Sequence, residues 1–109
     1  MFAFEIPGSR FSLPAGAEVM RHRFVSVNAN SAGVTATAST PVIGVSMNQA
    51  KADQVLEIAD GIVMVEASAA IAAGVTVASA ADGRAVAGNG SAVALTSASA
   101  AGDLITVKL

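Results

Sequence analysis

The stretch Pro41–Ile58, PVIGVSMNQAKADQVLEI, decides the fold because its layout recurs at Ser91–Lys108, SAVALTSASAAGDLITVK. Each stretch has an apolar run, a small polar linker, an aspartate and a second apolar run. Asp53 and Asp103 occupy matching places, and we expect both to form turns through side-chain bonds to backbone amides just before a strand.

A second pair of phrases lies upstream of these stretches. Leu13–Ala17 reads LPAGA, and Ile71–Val75 reads IAAGV. We therefore expect one β domain over residues 13–109, with half-repeats at approximately 13–58 and 71–109. Residues 1–12 are expected to form an N-terminal arm that leaves the domain body, because aromatic residues precede Pro7 and Gly8.

Two hairpins follow from local patterns. Phe24–Val27 alternates with period two, Asn28–Gly33 supplies turn residues, and Val34–Thr37 resumes the alternation. In the second copy, Asp82-Gly83 is a strong hairpin turn signal between Val75–Val77 and Arg84–Val86. Further strands are expected at Val42–Ser46, Gln54–Ile58, Ile62–Glu66, Ala92–Thr96 and Leu104–Leu109.

Helix is poorly supported in spite of the many alanines. Their neighbours are Gly, Ser, Thr and Val, which favour turns or strands. At most one short helix is expected, at Met47–Ala52 or at Ser97–Ala101, with Asn48 or Ser97 as its N-cap. The predicted fold is all-β, a small β-sandwich or barrel made of two pseudo-repeated halves.

Composition excludes several classes of protein. A chain of 109 residues holds one core, and its net charge of −2 with a pI near 5.1 argues against a nucleic-acid partner. The mean hydropathy of +0.63 comes from Ala and Val, and the uncharged stretch 67–81 is too short and too interrupted to span a membrane. The N-terminus lacks the pattern of a secretory signal, so we expect synthesis in the cytoplasm.

Candidates for catalysis or ligand binding are few. His22 lies between Arg21 and Arg23, whose charges would lower its pKa, and we interpret it as a solvated loop residue. The carboxylates are scattered singly, and Gly88–Gly90 lacks the Lys and the helix of a phosphate loop. We expect no catalytic, cofactor or metal residues and no small-molecule substrate, which argues against an enzyme.

The N-terminal third differs from the rest of the chain. It contains all four phenylalanines and an Arg-His-Arg cluster. Aromatic residues and Arg are enriched at protein interfaces. Phe11 and Phe24 are candidates for either core or interface. The residues proposed for contact with a partner or between subunits are Phe2, Phe4, Arg10, Phe11, Arg21 and Arg23.

Self-association is favoured by the scarcity of large apolar side chains. Alanine buries little area, so a core of Ala, Val and Gly gains less hydrophobic free energy per residue than one of Leu and Phe. With only 13% charged residues, a sheet protein also needs its edges and apolar patches covered. Both arguments predict a closed, symmetric oligomer.

Several phrases together resemble tailed-bacteriophage capsid decoration proteins of the cement type. They are Pro41–Val45 (PVIGV), Asp60–Val65 (DGIVMV), Ala70–Val75 (AIAAGV), Ala80–Val86 (AADGRAV) and Ala98–Val107 (ASAAGDLITV). The resemblance covers roughly Leu13–Leu109, and the order and spacing of the motifs carry it. It implies a compact β domain that assembles as a homotrimer or a similar cluster on the outer surface of the phage head and has no catalytic residues.

The resemblance predicts a structural virion protein. It would bind between major capsid protein subunits on the outer surface and stabilise the shell, after assembly in the host cytoplasm. The alternative is an adhesin-like β module that displays loops such as Asn28–Gly33 and Gly88–Gly90 to a cell-surface glycan. The absence of Trp and Tyr speaks against sugar stacking.

Overall fold

A computed structural model of the chain describes residues 3–109, and it contains nine β-strands and no helix in that range. The all-β prediction is therefore confirmed. The strands are β1 Ile6–Pro14, β2 Phe24–Val27, β3 Gly33–Thr35, β4 Gly44–Ser46, β5 Val55–Glu66, β6 Thr76–Ser79, β7 Ala85–Ala87, β8 Ala92–Ala94 and β9 Leu104–Lys108.

The strands form one curled sheet in which neighbouring strands pair antiparallel. The order is β3-β2-β4-β5-β9-β8-β6-β7, and β1 pairs with β5 beside that path. The long strand β5 is the spine of the molecule because it pairs with β4 and β1 along its first part and with β9 along its second.

Both predicted hairpins are confirmed. β2 pairs with β3, and β6 pairs with β7. In the first turn, Oδ1 of Asn28 accepts hydrogen bonds from the amides of Asn30 and Ala32, at 2.9 and 3.1 Å. In the second turn, Gly83 takes a positive φ of 81°, which a residue without Cβ adopts at little cost.

The strands predicted separately at Gln54–Ile58 and Ile62–Glu66 are one strand, β5. The chain stays in the ladder through Asp60-Gly61 because β1 is irregular at the same level, where its register shifts between Pro7 and Arg10. Gly61 has a φ of 86°, and a Cβ there would lie 2.6 Å from the backbone nitrogen of Gly8. The two strands can approach this closely only because Gly61 lacks a side chain.

The strand β1 was not predicted. Residues 6–12, assigned to an arm that leaves the domain body, lie within β1 and pair with β5, although most of their side chains are exposed. The strand pattern is interrupted by Pro7, Gly8 and Pro14, so it did not predict β1. Pro and Gly weaken a strand pattern and are tolerated chiefly at edges and bulges. Phe2, also assigned to the arm, lies outside the described residues.

Neither short helix forms. Oδ1 of Asn48 accepts a hydrogen bond from the amide of Glu57 at 2.8 Å, so the proposed N-cap residue fastens its loop to β5 instead. The two loops also make equivalent backbone bridges, between Val19 and Ala50 and between Ile71 and Ala98. These long-range bonds satisfy the backbone groups that a helix would have paired locally.

The two halves of the chain use the same hydrogen bonds, which corrects the register of the repeat. The amide of Ala15 donates to the carbonyl of Gln54 at 2.9 Å, and the amide of Ala67 donates to the carbonyl of Asp103 at 2.8 Å. Ala67 is thus the equivalent of Ala15, and the match of Leu13–Ala17 with Ile71–Val75 is wrong.

Asp53 is equivalent to Gly102 and not to Asp103. Both Asp53 and Gly102 have positive φ, at 67° and 94°. The prediction that Asp103 bonds backbone amides is confirmed, since its carboxylate accepts from the amides of Ser99 and Ala100. Gln54 does the same in the first half, where its Oε1 accepts from the amide of Lys51 at 2.8 Å.

The equivalence also includes β1. Phe11 pairs with Ile58 as Val63 pairs with Val107, so β1 stands to the first part of β5 as the second part of β5 stands to β9. We call residues 6–59 the first half and residues 62–108 the second half.

Each half has its own core, but the cores differ in what they include. The first-half core contains the following buried residues: Ala15, Val19, Val25, Ala50, Leu56 and Ile58. The second-half core contains their equivalents and also Phe24, Val45 and Ala59, which come from the opposite face of the first half. One face of the first half is therefore buried against the second half.

Candidate interaction surfaces

Phe4 lies across the second half at β9. Its amide donates to Oγ1 of Thr106, and Oγ1 of Thr106 donates to the carbonyl of Phe4 at 2.7 Å. Next to it, Oε1 of Glu5 accepts a hydrogen bond from the amide of Met64. The backbone of this segment is thus attached to the sheet, and the Phe4 side chain is half-buried.

Arg10 and Phe11 lie on opposite faces of β1. Nη2 of Arg10 is 2.6 Å from Oε1 of Glu57, and both side chains are about half exposed. Phe11 is 39% exposed, whereas Phe24 is buried in the second-half core. Of the two rings that were candidates for core or interface, Phe24 belongs to the core and Phe11 is available at the surface.

The cluster Arg21-His22-Arg23 spreads over different environments. Arg21 is exposed. Arg23 is partly buried, and its Nη2 lies 3.5 Å from Oε2 of Glu66, which is equally close to Nη1 of Arg84. Nη1 of Arg23 also donates to the carbonyl of Asp82 at 3.2 Å. Arg23 therefore joins the first half to the second.

His22 is not the solvated loop residue that the sequence predicted. It is half-buried with a φ of 63°, and its Nδ1 is buried without a hydrogen-bond partner. Burial lowers the pKa of His22 below its ordinary value, and the positive charge of Arg21 lowers it further. This confirms the predicted direction of the shift. The conformation is shared with Gly74, its equivalent in the second half, so it belongs to the repeated backbone.

Turn carboxylates account for other polar contacts. Oδ2 of Asp82 lies 2.8 Å from Nε of Arg84. Burial raises the pKa of Asp82, but the hydrogen bonds and charge of Arg84 outweigh burial and hold this pKa below its ordinary value. Hydrogen bonds from Ser99 and Ala100 likewise lower the pKa of Asp103. Both carboxylates stabilise turns.

The outer face of the second half is an exposed surface that the sequence analysis missed. Along it, Ile62 pairs with Lys108, Lys108 with Val93, and Val93 with Thr76. Val93 is 38% exposed. We call this surface the second-half outer face, and it consists of Thr76, Val93, Leu95 and Lys108.

The equivalent row of residues in the first half is buried. Ala59 pairs with Val45 and Val45 with Phe24, and all three are buried in the second-half core. We call Phe24, Val45 and Ala59 the first-half outer face.

The sequence does contain a signal for the second-half outer face, because in SAVALTS the larger Val93 and Leu95 alternate with Ala92 and Ala94. It could not tell which side faces the core.

Residues 3–109 hold no group of three or more His, Asp or Glu side chains that could bind a metal ion. The same range includes no helix long and apolar enough to cross a membrane. A cleft of about 180 Å³ between the halves is lined by Phe24, Val77, Ala92 and Leu109 among others, and apolar and small polar groups dominate it.

Comparison with solved structures finds a chain of the same fold. It is the N base of the head fiber gp8.5 of bacteriophage phi29, with a TM-score of 0.77 and 19% sequence identity over 93% of this chain and 92% of that chain. At this identity the likeness shows the fold alone. Comparison with curated protein sequences finds no match.

The family is shown by the sequence itself. The profile described as phage cement protein matches residues 7–109, which is nearly the whole chain. This match confirms the resemblance found in the sequence, and it indicates a structural role associated with the phage capsid. The chain belongs to the phage cement protein family.

Proposed function

We propose that this protein is a capsid decoration protein that binds the outer surface of a phage head between major capsid protein subunits and stabilises the shell. The match to the phage cement family over residues 7–109 carries the proposal. The protein is proposed to act as a homotrimer, so that several modest contacts per trimer add up to durable attachment.

The proposed contact residues are those of the N-terminal third. Arg21 and Phe11 are exposed, and Arg10 is half exposed beside Glu57, so these three offer charge and aromatic area to a partner. Phe2 and Phe4 are proposed to add contacts from residues 1–5, which precede β1. Arg23 is the weakest member of the set because it already pairs with Glu66.

Co-sedimentation with expanded capsids tests this function. We expect Arg21→Ala to weaken attachment several-fold and to make it less sensitive to salt, because an exposed ion pair is screened by added ions. Lys51→Ala is the matched control, since Lys51 is an exposed cation outside the proposed set. Equal attachment of the two variants at all salt concentrations would rule out a role for Arg21.

Point variants are the sharper test of the aromatic contacts. A deletion through Arg10 would remove part of β1 and its pairing with β5, so Phe4→Ala and Phe11→Ala are preferable. Each is expected to reduce capsid attachment while leaving the far-UV circular dichroism unchanged. If the wild-type protein binds glycans on an array and fails to bind capsids, the adhesin-like alternative replaces the proposal.

A further inference from the structure

The two outer faces of the repeat are not equally buried. In the first half the outer face is buried against the second half, and Val45 is 0% exposed. Its equivalent in the second half, Val93, is 38% exposed. The same strand surface is thus covered within the chain in the first half, whereas in the second half residues 3–109 cover it at Thr106, where Phe4 lies, and leave Val93 exposed.

The surface that covers Phe24 of the first-half outer face is one end of the second half. The amide of Phe24 donates to the carbonyl of Gly83 at 2.7 Å, and the amide of Glu66 donates to the carbonyl of His22 at 3.0 Å. Phe24 also borders the cleft whose wall includes Ser79. This end therefore contains Glu66, Ser79 and Gly83.

The equivalent end of the first half has no cover. Val27 is the counterpart of Ser79 and is 45% exposed, whereas Ser79 is 6% exposed. Ser31, the counterpart of Gly83, and Pro14, the counterpart of Glu66, are exposed as well. We call Pro14, Val27 and Ser31 the first-half end.

The open surfaces are counterparts of two surfaces that bind each other inside the chain. We propose that the second-half outer face of one copy binds the first-half end of a second copy, head to tail, in repetition of the contact between the two halves. Such a contact is heterologous and generates a ring if the rotation closes. The proposal rests on the self-association proposed above and names the surfaces that would carry it.

The local chemistry agrees with a second copy as the occupant. Val93 and Leu95 of the second-half outer face would contact Val27, and the polar Thr76 and Ser31 would meet where Phe24 and Gly83 meet within the chain. Exposed apolar side chains on a regular, hydrogen-bonded strand need no reordering before they dock, which lowers the entropic cost of association.

Light scattering on the isolated protein over a dilution series tests the proposal. The series reaches about 1 mM, because linked binding sites experience effective concentrations of this order. Wild type is expected to form a closed oligomer. Val93→Asp and Val27→Asp should each raise the concentration for half-assembly about 30-fold or more, as expected for a central interface residue. Met20→Asp is the matched control, because Met20 is exposed on a loop outside both surfaces.

Mixing the two variants distinguishes head-to-tail association from other arrangements. Each variant keeps one intact surface, so an equimolar mixture of Val93→Asp and Val27→Asp should form a dimer and nothing larger. A monomeric mixture, a monomeric wild type, or Met20→Asp as damaging as the other two would overturn the proposal. Circular dichroism checks that the variants fold, and Leu95→Lys replaces Val93→Asp if that variant does not.

Capsid co-sedimentation of the same variants separates this inference from the proposed function. A monomeric wild type that still binds capsids would overturn the self-docking contact and leave the decoration function intact. A wild type that assembles but ignores capsids would do the reverse.

Discussion

The two halves of this chain share one backbone plan and differ in what their outer faces touch. The first-half outer face carries Phe24, Val45 and Ala59 and is buried, whereas its counterpart carries Thr76, Val93 and Lys108 and is exposed. The comparison shows that strand pattern decides which residues share a face. Whether that face becomes core is decided by a neighbour far away in the sequence.

The largest effect is expected where the first-half outer face is most deeply buried. Phe24→Ala should lower the free energy of unfolding by about 3–5 kcal/mol, because it removes a buried ring and leaves a cavity between the halves. Thr76→Ala, at the equivalent exposed position, should cost at most about 1 kcal/mol. Urea denaturation at low protein concentration measures both, and equal losses would contradict the assignment of the two faces.

A second comparison concerns glycines with the same conformation in different surroundings. Gly61 and Gly74 have φ values of 86° and 88°, but a Cβ on Gly61 would meet the backbone of Gly8 at 2.6 Å and one on Gly74 would meet nothing within 4 Å. Gly74→Ala should cost about 1 kcal/mol for the left-handed conformation alone.

Gly61→Ala should cost clearly more than Gly74→Ala, because β1 must also move away from β5. Thermal unfolding ranks the two variants. Hydrogen exchange on the β1 amides should show faster exchange only in Gly61→Ala, and unchanged exchange there would mean that the bulge is not what allows the two strands to approach.

The ion pairs offer a smaller contrast. Glu66 joins Arg23 of the first half to Arg84 of the second in a partly buried site, whereas Glu57 pairs with Arg10 in a half-exposed site. Glu66→Gln should lower the free energy of unfolding by about 1–2 kcal/mol, since the ion pair with Arg23 and the charged hydrogen bond from Arg84 are weakened where solvent cannot replace them fully. Glu57→Gln should change it by less than about 1 kcal/mol. Chemical denaturation of both variants at the same pH would refute this ranking if Glu57→Gln proved the more damaging.

The smallest effect is expected at the turn of the second half, as a dependence on pH. The pKa of Asp103 is lowered by its bonds to Ser99 and Ala100, so the carboxylate stabilises the folded state above the ordinary pKa of 3.8. That stability is lost as the pH falls through the lowered pKa of the folded state. In Asp103→Asn the midpoint of urea unfolding should fall less steeply as the pH decreases below 4. Gln54→Glu, at the equivalent position of the first half, should make the midpoint fall more steeply.

The sequence was sufficient for features that local energetics decide. The turns at Asn28–Gly33 and Asp82-Gly83 were predicted because their residues bond nearby amides or adopt positive φ. Alternation likewise placed β2 and most of β9 correctly. The existence of the repeat was visible, but its register was wrong by one residue at Asp53, because identity of letters outweighed the equivalence of Asp53 with Gly102.

Other features were out of reach of the sequence. β1 contains Pro and Gly and shows no clean alternation, and it is a strand because β5 supplies a partner on its free side. In β9, alternation places Thr106 on the same face as Leu104 and Lys108, which are exposed, but the Thr106 hydroxyl bonds Phe4 and the residue is buried. Membership of the phage cement protein family could be predicted from the order of the motifs.

The sequence by itself determined an all-β chain of two similar halves, since turn chemistry and period-two alternation are properties of a few neighbouring residues. Only the tertiary structure decided that Phe24 is core, that Phe11 and Val93 are surface, and that Arg23 ties the halves together. Burial depends on which distant segment covers a face. Because hydrophobic free energy follows the area removed from water, the sequence can mark an apolar residue without showing what lies against it.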